Sequence, residues 1–257
     1  MFESNPGRSA GARLDPALAA MPMGRRLDEL RRRMAAIPGK VGADAPATVA
    51  AHDLLPIPGP LGELLPSGGL MLGTVVACPR GAITSAILAA ATSSGHQTAI
   101  VGEQFDRRRP SLIDIWEMGG TLERVALVDA AGADPAEIVS VLVDGVPVVV
   151  LAIPGLRLTP TQVETLRARV RGNRGLLVVT EGSWVRQPHL TIGCRLRGVG
   201  GIGRGLGRLS RIEMDVDVTS GQYARSGRLV LAASKDGRSR WIPAPTPAGL
   251  LRLAHTG

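Results

Sequence analysis

The sequence predicts an α/β fold: a mostly parallel sheet flanked by helices, with an antiparallel C-terminal extension and one helix ahead of the sheet. Three observations predict it. From Leu54 onward, five short aliphatic runs alternate with helix-like segments. Each run is apolar at consecutive positions, as expected of a strand buried on both faces. Beyond Leu190 the texture changes to alternation of apolar and polar residues between glycine-rich turns, which suits antiparallel strands.

The elements follow in order. Residues 1–50 read as a flexible Gly/Ala/Pro lead plus one basic amphipathic helix, MGRRLDELRRRMAAIPG, with Leu27, Leu30, Met34 and Ile37 on one face and Pro38–Gly39 as its stop. Residues 51–245 form the core. GTVVAC is a buried strand, AITSAILAAATSSG a helix, QTAIVGEQ a strand, PSLIDIWEMGG a short helix and RVALVDA a strand. DPAEIVSVLVDG is a helix with Pro135 in its first turn, and VPVVVLAIPG the next strand. TPTQVETLRARVRGN is a helix whose Thr159 and Gln162 form a capping box, and GLLVVTEG is the fifth strand. LTIGCRLRG, RLSRIEMDVDVTS and GRLVLAASK form the antiparallel extension, and residues 246–257 a tail.

Composition narrows the function. Hydrophobic residues make up 44% of the 257, but aromatics only 2%, so aliphatic side chains must fill the core and a base-stacking surface is disfavoured. The net charge of +8 is almost all arginine, with Lys40 and Lys235 the only lysines. That balance suits nucleic acid or an acidic protein partner. Cys78 and Cys194 make neither a metal-ligand pair nor a disulfide framework. The polar opening MFESNPGRSAGARLD is not a secretory signal, and the longest apolar run, Val146 to Leu156, is about half of what a bilayer requires. The expectation is a soluble, cytoplasmic protein with no membrane contact.

The stretch LLPIPGPLGELLPSGGLMLGTVVACPRGAITSAILAAATSSGHQTAIVGEQFD, continued by IWEMGGTLERVALVDAAGADPAEI, resembles the core of the RecA recombinases. A Gly-Gly-Leu approach leads into the first strand, then a turn, a helix and a second strand ending in Glu103. The resemblance covers roughly residues 53–245. Within the RecA family the chain is most similar to the degenerate actinobacterial mutasome accessory proteins of the ImuA-prime type. That similarity implies a role in the SOS response to DNA damage: support of translesion synthesis and induced mutagenesis. It implies ImuB, a Y-family polymerase homologue, as direct partner. An error-prone DnaE-type polymerase and the sliding clamp would be indirect partners, with nucleoid association during DNA damage.

The family's phosphate loop has the form G-x-x-x-x-G-K-[ST], with backbone N–H groups around the phosphates, a lysine on the β/γ oxygens and a hydroxyl on Mg²⁺. Here the strand exits through ACPRGAITS. Cys78, Pro79, Arg80, Gly81, Thr84 and Ser85 make up a degenerate loop: Gly81 is its only glycine, and Ala82 or Ile83 falls where lysine would be. The strand that in the family ends in a metal-positioning acid has Ala152 there, or Leu151 if the register slips by one. Neither can ligate Mg²⁺. Glu103 stands at the family's water-activating position but, without a phosphate site, reads as a strand-end carboxylate. The expectation is a chain that is not an enzyme and needs neither cofactor nor metal.

The two loops that carry DNA in the family are short here. Trp184 and Arg186 on the second could touch a base and a phosphate, or simply cap the sheet edge. Arg195, Arg197, Arg204, Arg208 and Arg211 lie in a Gly-rich segment that could approach a phosphate backbone or be a solvated hairpin tip. RARVRGNR adds more arginines. Docking candidates are Leu27, Leu30 and Met34 of the first helix, which could also mediate self-association, and Leu250, Leu251 and Leu253 of the tail. The leading expectation is a non-catalytic adaptor. The alternatives are a sequence-independent, weak DNA binder acting through the arginine segments, and an atypical ATPase using Arg80, Thr84 and Glu103.

Overall fold

The computed structural model describes residues 53–102, 110–130, 134–180, 187–203 and 206–244, with the side chains at 202–208 excepted. A two-stranded antiparallel ribbon, β1 (Leu54–Pro56) with β2 (Gly69–Met71), encloses a short helix, α1 (Pro60–Glu63). The core follows as β3 (Thr74–Ala77), α2 (Ala82–Ser93), β4 (Thr98–Gly102), α3 (Leu112–Glu117), β5 (Val125–Asp129), α4 (Pro135–Gly145), β6 (Val148–Leu151), α5 (Pro160–Gly172) and β7 (Leu176–Val179). Four long-range strands complete it: β8 (Leu190–Gly203), β9 (Leu206–Ser220), β10 (Tyr223–Ala233) and β11 (Ser239–Pro243).

These strands form one nine-stranded sheet in the order β11-β10-β9-β8-β3-β7-β6-β4-β5. β3, β7, β6, β4 and β5 run parallel, β8 joins β3 in parallel, and β8 to β11 pair antiparallel. This is the α/β architecture that the segment order predicts, a mostly parallel sheet flanked by helices with an antiparallel C-terminal extension. β3, the strand before the degenerate loop, lies centrally, so the turn that leaves it sits between the parallel half and the extension.

The two faces of the parallel strands supply two cores. Val76, Ile100, Val148, Val150, Leu176 and Val178 pack on the α2 side. Val75, Val101, Val149, Leu151, Leu177 and Val179 pack on the side of α4 and α5. The period of two along each strand separates them. α2 is apolar nearly all round, with Ile83 through Thr92 all buried, as a helix enclosed by sheet and other elements must be. The capping box expected from the sequence is present, and a second cap accompanies it. Asp134 accepts from the Ala136 N–H at the start of α4, and Thr159 and Gln162 form a reciprocal capping box on α5.

Three expectations need correction. RVALVDA does not give a strand buried on both faces: β5 is the sheet edge, and Ala126, Leu127 and Asp129 are exposed. Consecutive aliphatics cannot distinguish an edge strand from a central one, because that depends on which strand follows in space. The Gly-rich segment after Arg195 is strand on either side of residues 204 and 205, which lie outside the described residues. It continues β8 to Gly203, with register shifts between Leu196 and Gly198 and between Gly200 and Ile202 that absorb the extra residues as bulges. The extension has a fourth strand beyond the three alternating segments, β11, paired to β10. No helix among the described residues is long and apolar enough to cross a membrane.

Candidate functional site

The turn that would hold phosphate is four residues long, Cys78 to Gly81, between β3 and α2. The Cys78 N–H is bonded to the Val179 carbonyl at 3.1 Å, which ties the start of the turn to β7. Gly81 closes it with φ 97° and ψ −142°, a conformation that favours glycine. Arg80 is exposed on the outside of the turn.

Cys78 and the first residues of α2 behind the turn face inward. Thr84 is fully buried and its hydroxyl donates to the Pro79 carbonyl at 2.9 Å, with Cys78 Sγ at 3.3 Å. The hydroxyl that would hold a metal ion in the family is thus spent on closing the turn from within. Ser85 is also fully buried, and its Oγ has no hydrogen-bond partner among the described residues. Ile83, at or beside the lysine position, is 1% exposed. Burial pushes the Cys78 thiol up to about 12, partly offset by the Thr84 hydrogen bond, so it is an unreactive core group. Ala152, 3% exposed, donates its N–H to Val101 and belongs to the same buried cluster as Cys78 and Ile83. The tertiary structure therefore does bring the lysine and metal-acid positions into one cluster, and fills that cluster with hydrocarbon.

Two of the arginine candidates, Arg197 and Arg211, are ion-paired. Arg197 is bonded to Asp215, which Arg228 also reaches at 3.2 Å, and Arg211 pairs with Glu213 at 3.0 Å. Asp215 is held below the usual carboxylate range, first by the Arg197 hydrogen bond. Arg195 is exposed and lies in register with Asp215. On the second cluster, Arg169 pairs with Asp144, and Arg174 with Asp53 at 3.0 Å. Arg167 donates to the Gln187 carbonyl at 2.9 Å and approaches His189 Nε2 at 3.3 Å. His189 Nδ1 accepts the Val75 N–H at 3.0 Å, and burial followed by the charges of Arg167 and Arg171 lowers its affinity for a proton. Glu103, Trp184, Arg186, Arg204, Leu27, Leu30, Met34, Leu250, Leu251 and Leu253 lie outside the described residues, as does the side chain of Arg208.

Sequence reasoning missed a cleft of about 750 Å³ between α3 and the antiparallel extension. Asp114, Glu117 and Met118 form one wall, and Arg211, Ile212 and Lys235 the other, with Ala82, the first residue of α2, also on its lining. A smaller cavity of about 250 Å³, between α2 and Trp241, shares Met118 and Ser239 with it. Asp114 is pushed above the usual carboxylate range by burial and then by Glu117, against the Ser111 hydrogen bond. The Asp114–Glu117 pair at i, i+3 was the available signal; what faces it comes from strands about a hundred residues away. Outside the cleft, the Arg238 guanidinium stacks on Trp116 at 4.4 Å.

Comparisons with known proteins bear on the chain as a whole. A family model described as the MT3502 N-terminal domain matches residues 63–186. An uncharacterized protein of Mycobacterium tuberculosis (strain ATCC 25618 / H37Rv), Rv3395c, is 32% identical over 202 residues, which cover 74% of this chain and 90% of that protein. Among solved structures, the flagellar accessory protein FlaH from Methanocaldococcus jannaschii superposes with a TM-score of 0.48 at 8% identity, over 74% of this chain and 100% of that one.

Proposed function

The chain belongs to the family of the mycobacterial protein Rv3395c, and from that premise we propose that it is a non-catalytic, RecA-like adaptor of the ImuA-prime type. In this reading it serves an SOS-induced mutasome by binding ImuB, and supports translesion synthesis through that contact. The DnaE-type polymerase and the sliding clamp join indirectly.

One observation carries the non-catalytic part of the reading. Thr84, Ile83 and Ala152, the residues at or beside the positions for metal hydroxyl, lysine and metal acid, are all buried in the α2-side core or bonded to the turn itself. An ATPase needs these groups to face a phosphate, and restoring that geometry would require opening the core. The retained fold then serves through its surfaces. The partner assignment rests on the resemblance to the mutasome accessory proteins. The ion-paired state of Arg197 and Arg211 weighs against a reading in which they serve chiefly as phosphate contacts.

The test is co-elution of purified protein and ImuB on a sizing column at moderate salt, with and without Mg-ATP. The expected result is a stable complex whose yield is the same in both conditions. A complex that forms only with Mg-ATP would overturn the non-catalytic reading. Absence of any complex from a demonstrably folded protein would remove the adaptor assignment.

A further inference from the structure

We propose that the unpaired edge of β8 takes an extended, acidic and aliphatic segment of a partner protein as an added strand. β8 runs from Leu190 to Gly203, but its pairing with β3 is confined to Leu190 and Thr191, opposite Val76 and Ala77. Its other edge is paired to β9 from Thr191 to Gly203, apart from the two register shifts. His189 donates its N–H to the Val75 carbonyl, so alternate residues after it direct their backbone groups toward the β3 side. β3 ends at Ala77, and Gly193 and Arg195 therefore present N–H and C=O groups that no strand meets among the described residues. Such an edge is a template for strand addition.

The side chains around that edge define the occupant. Residues 190–211 contain five arginines and no aspartate or glutamate. Arg195 and Arg197 are exposed on the strand, and Leu196 and Val199 are 61% and 54% exposed. On β9, Leu209 is exposed as well. An incoming strand with carboxylates on one face and aliphatic side chains on the other would meet arginines and leucine in the same alternation. A second copy of this chain would bring arginine against arginine, which disfavours self-pairing. A nucleic acid would leave the aliphatic residues uncovered, and it has no strand backbone to pair with the N–H and C=O groups of the edge. The inference rests on the adaptor reading only in supposing a protein partner; the surface is tested without ImuB.

The experiment is selection of a displayed random peptide library, with peptides of about ten residues to match a long strand, against the full-length protein. The expected consensus alternates Asp or Glu with Val, Ile or Leu. Affinity of the selected peptides should fall on the order of tenfold or more for Arg195→Glu, which reverses the charge and leaves the backbone edge intact. Arg195→Pro removes an outward N–H without touching the β9 ladder and should abolish binding. Should that variant unfold, amide exchange on the wild-type protein supplies the second readout: saturating peptide should slow exchange at Gly193 and Arg195 and leave β10 unchanged. Selected peptides without acidic enrichment, equal binding by Arg195→Glu, or protection elsewhere would overturn the proposal. So would a library that yields no binder, whether or not duplex DNA binds through the same arginines.

Discussion

Replacing Thr84 by valine removes one hydroxyl and almost no volume, so it isolates what that hydroxyl does. In the folded protein it donates to the Pro79 carbonyl at 2.9 Å and lies 3.3 Å from Cys78 Sγ, in a fully buried position. A hydrogen bond of this kind contributes about 1 kcal/mol net. The larger penalty for an orphaned buried acceptor is not reached, because Pro79 is only half-buried and water can serve its carbonyl. Thr84→Val should therefore destabilise the protein by about 1 kcal/mol, which for a domain of this size lowers Tm by roughly 2–4 °C. Urea and thermal unfolding, each with and without Mg-ATP, measure it. The expected loss is the same in both conditions, since the hydroxyl closes the turn and serves no metal. If the variant matches wild type without nucleotide, and loses stability only relative to a nucleotide-stabilised wild type, the argument for a collapsed site is refuted.

Three further outcomes are expected. In native protein near pH 8, Cys78 should resist a thiol reagent until the chain unfolds, since burial holds its thiol near 12. Labelling confined to Cys194 under native conditions checks this. Stability should decline as pH falls below about 6.5, the ordinary histidine value, because His189 is folded neutral with its proton affinity lowered, and the unfolded chain takes up the proton first. Urea midpoints between neutral and mildly acidic pH should show that decline in wild type and a smaller one in His189→Gln, whose amide can still accept from Val75. Gly120→Ala should cost about 2 kcal/mol: its Cβ would lie 2.6 Å from Ile115 Cγ2 and 3.0 Å from the Ala89 backbone, where α3 packs on α2. An unchanged unfolding midpoint would contradict that packing.

Local chemistry made much of this protein legible in its sequence. The capping box of Thr159 and Gln162 involves residues three apart and formed as read. The parallel strands were visible because VVVL and LLVV are apolar on both faces, a pattern that only a doubly covered sheet buries. The absence of lysine and metal acid is likewise a property of single positions. What the sequence by itself could not determine were relations between distant segments. The exposure of Leu127 follows from β5 having no outer neighbour, which strand order decides. Arginine density suggested a free basic surface, yet Arg197 finds Asp215 eighteen residues away across a ladder whose register depends on two bulges. The cleft beside Ala82 exists because β9 and β10 face α3. Periodicity reports which face of an element is buried; only the tertiary structure decides which charges neutralise one another, and which strand edge remains unpaired.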